Sequence, residues 1–330
     1  MKKIAEQAGT SVSTVSMVLR DYPVRCSAET AENIKRIARK YNYVPNYAAV
    51  SLVRQKTDSV GIIVPDIENA FFAGLVKQLS RLFGNDGYTL LLSCSEDRPK
   101  AEQIEMLRRK NVDALILALP FEEEGLAEAV GRLTVPHIAV DSYDARIKCG
   151  CVAADHARGA EMATEFLISN GHRKIGCITG GNRAYSAVRR YEGFVRSMHK
   201  NGLAVDEDRI LCGDYTFVSG YENAKILLKK DVTAIFAFND MMAFGAMKAA
   251  AEMGRKIPGD VSLVGYDDAM FSSMATVPLT TVRQPLEEIS WQVYRKIRGL
   301  LRGEASEGEP SLCTVQPELI VRESVRDLLA

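Results

Sequence analysis

Hydrophobic and polar positions follow two different spacings along the chain, and the change falls near residue 59. Before it, apolar residues recur at helical spacing, as Ile34, Ile37 and Tyr41 do in "AETAENIKRIARKYNY". After it, amphipathic helical stretches alternate with short apolar runs, which are "SVGIIVPD", "YTLLLSCS", "VDALILAL", "PHIAVDS", "KIGCITG", "RILCGDY", "TAIFAFND" and "VSLVGYDD". The first spacing predicts a small helical head, and the second predicts an α/β part built from βαβ units.

The head, residues 1–45, is predicted to contain three short helices. Gly9 follows the first, "KKIAEQA", at the position where a helix end favours a positive φ. Ser11 and Ser27 stand where the next two helices begin, and serine is a preferred N-cap residue. Pro45 is expected to end the unit, because the residue before a proline disfavours the helical conformation.

Ala5, Gly9 and Val15 have the spacing of a helix-turn-helix, in which a small residue, a turn glycine and a β-branched residue let two helices cross closely. The second helix also carries side chains that do not all reach a three-helix core, namely Val12, Ser13, Ser16, Met17 and Arg20. In a DNA-binding helix-turn-helix, such a face lies against base edges in the major groove. A face that only contacts solvent shows the same pattern, so the spacing alone leaves both interpretations open.

The remaining chain is too rich in strands for one sheet. About eight predicted strands over some 270 residues exceed what a doubly wound sheet usually carries, so we expect two lobes of parallel sheet with helices on both faces. The expected domains are a head at 1–45, a hinge helix and linker at 46–58, and a core at 59–330, with a near lobe at about 59–157 and 283–312 and a far lobe at about 158–282 and 313–330.

Charge separates the same regions, although the net charge of the whole chain is zero. Residues 1–58 contain ten Lys and Arg against five Asp and Glu, which leaves 32 against 37 for the rest. A basic head on a mildly acidic body indicates a polyanionic partner for the head.

We expect a cytoplasmic protein without a membrane span, because no long apolar run occurs and the basic start "MKKIAEQAGTS" is not followed by the apolar stretch of a secretory signal.

Patterns typical of catalytic and metal sites do not occur in the sequence. The seven cysteines are scattered without a CxxC pair, and the four histidines lack metal-ligand spacing. There is no GxSxG, no Walker loop, and no GxGxxG after the first predicted strand. The sequence therefore predicts a binding protein, not an enzyme, with no metal and no cofactor.

Several motifs in a fixed order resemble the lactose-repressor (LacI/GalR) family of bacterial transcription regulators. They are "AGTSVSTVSMVL", "SAETAENIKRIARKYNYVPNYAAVSL", "SVGIIVPDIENAFFAGL", "LISNGHRKIGCITG", "RRYEGF", "AFNDMMAFGAM", "VSLVGYDDA", "LTTVRQP" and "PELIVRES", and together they extend over the whole chain. The resemblance implies a helix-turn-helix head on a two-lobed, periplasmic-binding-protein-like core. It also implies a homodimeric repressor that binds a pseudopalindromic double-stranded operator, with its affinity controlled by a small molecule in the cleft between the lobes.

Roles in DNA binding follow from this resemblance residue by residue. Val12, Ser13 and Met17 match the positions that choose operator bases. The family usually has an arginine at the Met17 position, which reads guanine, so we expect a different half-site and name Arg20 as the candidate to share the reading. The residues that match phosphate contacts are Ser11, Thr14, Ser16 and Asn46.

The segment "PNYAAVSL" resembles the family's hinge helix, which folds on DNA and enters the minor groove. Leu52 matches the leucine that is wedged between base pairs, and Ala49 matches a small residue at the groove floor. Val50 replaces an arginine that is common there. An ordinary core leucine is the alternative interpretation of Leu52.

Effector contacts are implied at the polar ends of several strands, where parallel sheets bind ligands. Arg190 matches the arginine that grips effector hydroxyls or a carboxylate, and Tyr215 matches an aromatic residue that stacks on the ligand. Asn239 and Asp267 match hydrogen-bonding positions in loops after strands. From the near lobe, the expected residues are Asn69, Phe71 and Phe72, in "DIENAFF", together with the weaker match Asp155.

Two questions remain open at this point. Asp240 also fits a plain helix cap, and Asp267 with Asp268 also fits a plain turn. A sugar is the expected effector, because its hydroxyls need paired donors and acceptors and its CH face suits an aromatic ring, but a purine fits almost as well. Two other functions remain as alternatives: a sugar-binding protein without DNA binding, and a regulator controlled by a phosphorylated carrier protein.

Overall fold

The computed structural model describes residues 1–19, 23–43, 56–94, 98–121, 125–145, 147, 149–181, 184–304 and 311–329. The chain separates into two units, Met1–Thr57 and Asp58–Ala330. Each unit has hydrophobic core residues of its own. Among the described helices, none combines the length and the apolar character that crossing a bilayer requires.

The described part of the first unit contains three helices: α1 (Lys2–Ala8), α2 (Val12–Val18) and α3 (Ala28–Lys40). The local signals expected from the sequence are present. Gly9 has a φ of 62° after α1, and the Ser11 hydroxyl accepts a hydrogen bond from the Thr14 backbone N–H at 3.0 Å. These caps and turns orient α2 across α1.

The core of this unit comes from one side of each helix. Its buried members are Ile4, Ala5, Val15, Val18, Ile34, Ile37 and Ala38. Ala5 and Val15 are both in this set, as the helix-turn-helix spacing predicts. Because α2 buries only Val15 and Val18, the rest of its surface faces away from the core.

Two six-stranded sheets are present in the described part of the second unit, and this confirms the predicted two-lobed α/β class. The sheet of the near lobe is wholly parallel, in the order β11-β5-β4-β3-β1-β2. The sheet of the far lobe has the order β12-β10-β9-β8-β6-β7, and within it only β12 is antiparallel. The strands are β1 (Ser59–Ile63), β2 (Thr89–Ser93), β3 (Ala114–Leu117), β4 (His137–Val140), β5 (Cys151–Ala154), β6 (Ile175–Thr179), β7 (Ile210–Cys212), β8 (Ala234–Ala237), β9 (Ser262–Asp267), β10 (Thr280–Arg283), β11 (Leu312–Val315) and β12 (Glu318–Ile320).

Helices pack in pairs against these sheets. They are α4 (Ala70–Asn85), α5 (Lys100–Arg109), α6 (Leu126–Gly131), α7 (His156–Ser169), α8 (Tyr185–Lys200), α9 (Phe217–Leu227), α10 (Asp240–Glu252) and α11 (Leu286–Leu301). In the near lobe α4 packs on α11, whereas in the far lobe α7 packs on α8 and α9 packs on α10. The buried side chains between helices and sheets are mainly Ile, Leu, Val, Phe and Ala.

The chain passes between the lobes three times: from β5 to α7, from β10 to α11, and from β11 to β12. Two of these passages are joined, since the Asp155 backbone N–H donates to the Val315 carbonyl at 2.9 Å. The last passage differs from the expected boundary at residue 312. Because β11 pairs with β5, the near lobe continues to Val315.

Candidate functional site

The exposed side of α2 has a mixed apolar and hydroxyl surface. Val12 and Met17 are each 40% exposed, and Ser13 is exposed beside them. Ser16 is half-buried on the same helix. Such a surface offers methyl groups and hydroxyls to a partner, which are the groups that contact base edges in a major groove.

Ser11 and Thr14, expected to contact phosphate, have a structural role as well. Ser11 caps α2, and its hydroxyl lies 2.9 Å from the Thr14 hydroxyl. Ser11 is exposed and Thr14 is half-buried. The other residues expected to contact DNA lie outside the described residues, and they are Arg20, Asn46, Ala49 and Leu52.

In the second unit, six of the eight residues expected to bind an effector line one small cavity between the lobes, of about 60 Å³. They are Asn69, Phe71, Phe72, Arg190, Tyr215 and Asp267. Three further residues line it that the effector assignment did not include, and they are Asp141, Ser186 and Gln284. Because strand ends and helix starts of both lobes meet here, residues far apart in sequence surround one volume.

Arg190 is the most enclosed charged group at this cavity. Its guanidinium lies 3.7 Å above the Tyr266 ring and 3.6 Å from the Asp267 carboxylate, and it donates a hydrogen bond to the Phe238 carbonyl. Its Nε also donates to Nδ1 of His156 at 3.3 Å. The arginine is therefore held by protein partners on several sides, and the Asp267 carboxylate compensates its charge.

Asp267 is a buried carboxylate whose charge is costly. Burial raises its pKa to about 6, although the nearby Arg190 charge and the hydrogen bond from Gln284 act in the opposite direction. The Gln284 amide donates to Asp267 at 2.8 Å. The other end of that amide, Oε1, is buried and has no hydrogen-bond partner in the described part of the chain. It is therefore an acceptor available to a ligand that donates a proton.

The backbone is strained at the same place. Asp141, Tyr215, Asp267 and Asp268 have φ values of 59°, 70°, 111° and 54°. L-residues adopt this region at a cost, and such residues concentrate at ligand-binding sites. Three of these four residues line the cavity. The strain therefore marks the loops that carry the candidate ligand contacts.

Asn239 and Asp155 were expected to contact the effector, but neither is among the residues that line the cavity. Asn239 caps α10 by accepting from the Met242 backbone N–H at 2.9 Å, and its amide donates to the Tyr215 carbonyl at 2.8 Å. Asp155 caps α7 by accepting from the Arg158 backbone N–H at 3.0 Å. Asn239 thus holds the Tyr215 loop, and Asp155 begins a helix at a passage between lobes.

Asp240, which also fitted a helix cap, is instead a buried link between loops. Its carboxylate accepts from the Ala269 backbone N–H at 2.7 Å and from the hydroxyls of Ser272 and Thr281 at 2.5 and 2.6 Å. Burial, with the charge of Asp267, raises the pKa of Asp240 to about 7. Asp240 therefore ties the loop after β9 to β10, in addition to the ion pair between Asp268 and Arg283 at 2.8 Å.

The small cavity continues into a larger cleft of about 730 Å³. Phe71, Asp267 and Gln284 line both volumes, and Met270 and Arg283 line only the larger one. A volume of this size falls within the range of small-molecule sites. Within the described ranges, no group of three or more His, Cys, Asp or Glu side chains has the arrangement of a metal site.

Asp141 and Gln284 line the cavity but are not among the effector residues that the sequence predicts. Asp141 follows the apolar run "PHIAVDS", so its position at a strand end was visible, but nothing distinguished it from other aspartates at strand ends. Gln284 follows β10, a strand of only four residues that the apolar pattern did not reveal. A reading of "TTVRQP" as strand followed by loop identifies Gln284.

Comparison with known proteins agrees with this geometry. A model of bacterial regulatory proteins of the lacI family matches residues 1–46, and a model of the periplasmic binding protein-like domain matches residues 164–325. The HTH-type transcriptional repressor PurR of Histophilus somni (strain 129Pt) is 31% identical, over 99% of this chain and 99% of its own.

Two solved structures extend the comparison. The lac repressor dimer bound to operator and the anti-inducer ONPF is 25% identical with a TM-score of 0.88, over 98% of both chains. The complex of the transcriptional regulator CelR with cellobiose is 28% identical with a TM-score of 0.75, over 97% of this chain and 98% of that one.

Proposed function

Because this chain belongs to the lacI family of bacterial regulatory proteins, we propose that it represses transcription by binding a pseudopalindromic operator as a homodimer. We further propose that a sugar in the cleft between the lobes of the second unit controls operator affinity. Regulation of chromosomal promoters places the protein in the cytoplasm, where the DNA is. The DNA-binding part of the proposal rests on the family and on the exposed face of α2 with Val12, Ser13 and Met17.

The proposal that a sugar is the effector is supported by the mixture of hydrogen-bond donors and acceptors around the small cavity. Arg190 supplies donors, whereas Asp141, Asp267 and the free Gln284 Oε1 supply acceptors. Tyr215 adds an aromatic face at the same cavity. Sugar hydroxyls both donate and accept, so each of them pairs with either kind of group in this set.

The size of the cavity supports a conformational response. A volume of about 60 Å³ corresponds to about two water molecules, since each occupies roughly 30 Å³ in the liquid. A sugar is larger, so it either extends into the adjoining cleft of about 730 Å³ or displaces Arg190 from Asp267. We propose that it displaces Arg190 and that it binds the two resulting arrangements with different affinities, which is the condition for control of a second site.

The homodimer is proposed to use an apolar surface of the far lobe. Met270, Phe271 and Met274 are 69%, 58% and 69% exposed in the turn after β9. Adjacent exposed apolar side chains of this kind mark protein contacts. We expect Phe271→Ser with Met274→Ser to sediment as a monomer, whereas Val321→Ser, which changes another exposed apolar residue, keeps the dimer. A variant pair that still sediments as a dimer removes this surface from the interface.

The decisive experiment measures operator binding and its response to sugars in one assay. Promoter fragments from the source genome are tested in gel shifts with the purified full chain, with and without ribose, glucose, galactose or cellobiose. We expect Arg190→Ala and Asp267→Ala to abolish the sugar response and to keep ligand-free operator binding. Arg196→Ala is the matched control, because this exposed arginine lies on the same helix and pairs with Glu161 at 2.6 Å. An unchanged response in the two cavity variants excludes them from the effector site.

The same experiment separates the alternatives. A sugar-binding protein without DNA binding retards no promoter fragment but still binds a sugar in calorimetry. A regulator controlled by a phosphorylated carrier protein binds DNA, shows no heat with any sugar, and binds the carrier.

A further inference from the structure

His156 is a buried histidine that does not line the small cavity. It is the first residue of α7 and follows β5 by two residues, so it stands where the chain passes from the near lobe to the far lobe. Its relative exposure is 1%. A buried imidazole at a passage between two lobes contacts groups from both of them. In a neutral ring one nitrogen donates a hydrogen bond and the other accepts one, so the two nitrogens take different partners.

The two nitrogens of His156 face opposite lobes. Nε2 is hydrogen-bonded to Asp141, which follows the near-lobe strand β4. Nδ1 accepts a hydrogen bond from Nε of Arg190, on the far-lobe helix α8, at an N–N distance of 3.3 Å. The Tyr266 hydroxyl lies 3.4 Å from the same nitrogen. Asp141 and Arg190 both line the effector cavity. His156 therefore joins two effector-site residues of different lobes from behind.

The partners determine the protonation of the ring. A guanidinium only donates hydrogen bonds, so Nδ1 of His156 must be the unprotonated acceptor. Nε2 then carries the proton and donates it to the Asp141 carboxylate. Burial lowers the pKa of His156, and the Arg190 charge acts in the same direction while Asp141 opposes it. The ring is accordingly neutral, in a single tautomer.

The surroundings leave this ring little freedom. The Tyr185 and Tyr266 rings lie 6.2 and 6.0 Å from it, centroid to centroid. Gly159, one turn along α7, allows the Tyr266 hydroxyl to approach, since a Cβ built on Gly159 lies 2.3 Å from that oxygen. An imidazole held this closely transmits a displacement of Arg190 to Asp141 instead of absorbing it.

We propose that His156 is a positioning residue that couples Arg190 of the far lobe to Asp141 of the near lobe, so that a ligand moving one of them moves the other. This inference rests on the proposed effector function of the same cavity. It adds that the far-lobe side, with Arg190, and the near-lobe side, with Asp141, move together when a ligand binds. In this account the hydrogen bonds through both ring nitrogens are required, and either one alone is insufficient.

Two substitutions each keep one of the two bonds. In His156→Gln the amide nitrogen reaches the Nε2 position and donates to Asp141, but no acceptor faces Arg190. In His156→Asn the carbonyl oxygen takes the Nδ1 position and accepts from Arg190, but Asp141 loses its donor. Loss of one charge-assisted hydrogen bond is worth about tenfold or more in affinity. We therefore expect both variants to bind the responsive sugar at least about tenfold more weakly and to keep ligand-free operator affinity.

The matched control is His172→Gln, which alters another fully buried far-lobe histidine. His172 lies 3.0 Å from the Thr233 hydroxyl and 3.1 Å from the Arg326 carbonyl, and it does not line the cavity. It is expected to lower the melting temperature and to leave sugar affinity and response unchanged. This separates positioning from general loss of packing.

The tautomer is tested without any sugar, by nitrogen-15 NMR of the histidine-labelled full chain at pH 7. We expect one imidazole with a proton on Nε2 only, identified by its absence in His156→Gln. A charged ring, or a ring protonated on Nδ1, overturns the proposal.

Calorimetry with ribose, glucose, galactose and cellobiose supplies the second readout. Wild-type sugar affinity in both His156 variants also overturns the proposal, while leaving the effector site itself in place. If none of the four sugars binds the wild-type chain, the proposed effector function fails instead, and the NMR signal alone decides the tautomer on which the coupling depends.

Discussion

Asp240 makes the stability of the second unit depend on pH in a direction that a surface carboxylate does not produce. The side chain is 1% exposed and ties the loop after β9 to β10 through three accepted hydrogen bonds. Burial, with the charge of Asp267, raises its pKa to about 7. An aspartate in an unfolded chain titrates near about 3.9, so the folded protein binds this proton more tightly than the unfolded one.

The sign of the effect follows from that difference. Where the folded state holds the extra proton, the free energy of unfolding decreases as the pH rises, here between about pH 4 and about pH 7. Ionised Asp240 therefore costs on the order of 4 kcal/mol above this range, at about 1.4 kcal/mol for each unit of pKa. Asp267, whose pKa burial raises to about 6, acts with the same sign at lower pH. As the pH rises from about 5.5 to about 7, we expect the ionisation of Asp240 to lower the free energy of unfolding by up to about 2 kcal/mol.

Asp240→Asn removes the charge and keeps a compatible set of bonds. The amide oxygen accepts from the Ala269 backbone and the Ser272 hydroxyl, while the amide nitrogen donates to the Thr281 hydroxyl, which rotates to accept. We expect the variant to be more stable than the wild type at pH 8, and this difference in the free energy of unfolding to shrink as the pH falls toward 5.5. Urea unfolding followed by the fluorescence of Trp291, the single tryptophan of the chain, measures this at constant protein concentration.

Asp260→Asn is the control for this experiment, because Asp260 is an exposed carboxylate that accepts from the Lys256 backbone N–H. It is expected to leave the pH dependence as in the wild type. Burial lowers the pKa of His156 and His172, and this adds a pH dependence of the opposite sign to both proteins alike. If Asp240→Asn keeps the wild-type dependence between pH 5.5 and 7.5, the burial of the Asp240 charge does not have the stated effect.

Three further predictions concern DNA binding. Ile34→Ala empties part of the core of the first unit at a cost of about 2–5 kcal/mol, so operator retardation is lost in gel shifts while Trp291 unfolding is unchanged; retained operator binding contradicts this. Leu52→Ala is expected to weaken specific binding far more than non-specific binding, measured by competition with random DNA, and equal losses argue against a wedge. Operator affinity is expected to fall steeply and linearly on a plot of log affinity against log salt, and a flat plot contradicts phosphate contacts by the basic head.

The strands show where sequence patterns reach their limit. The eight apolar runs correspond to β1–β4 and β6–β9, but β5, β10, β11 and β12 were not recognised. Neither length nor burial separates them from the recognised strands, since β7 also has three residues and none fully buried, whereas β5 is buried throughout. Hydrogen bonds to β5 and β10 are what make β11 and β12 strands, and such pairing is not written in the run itself.

What the sequence by itself determined is local. Gly9, Ser11 and Ser27 end and begin the helices of the first unit as predicted, because a cap needs only its own turn. The α/β class also followed, since periodicity is written within each element.

Tertiary structure decided which strand ends meet, and with them the chemistry of the cleft. Asn239 and Asp155 were expected to contact the effector but cap helices, whereas Gln284 and Asp141 line the cavity and His156 stands behind it. A polar residue after a strand reads the same in sequence whether it caps a helix or faces a ligand. Which of these two roles a residue has depends on the order of strands in the sheets and on where the chain passes between the lobes. Both bring together residues that lie more than a hundred positions apart in sequence.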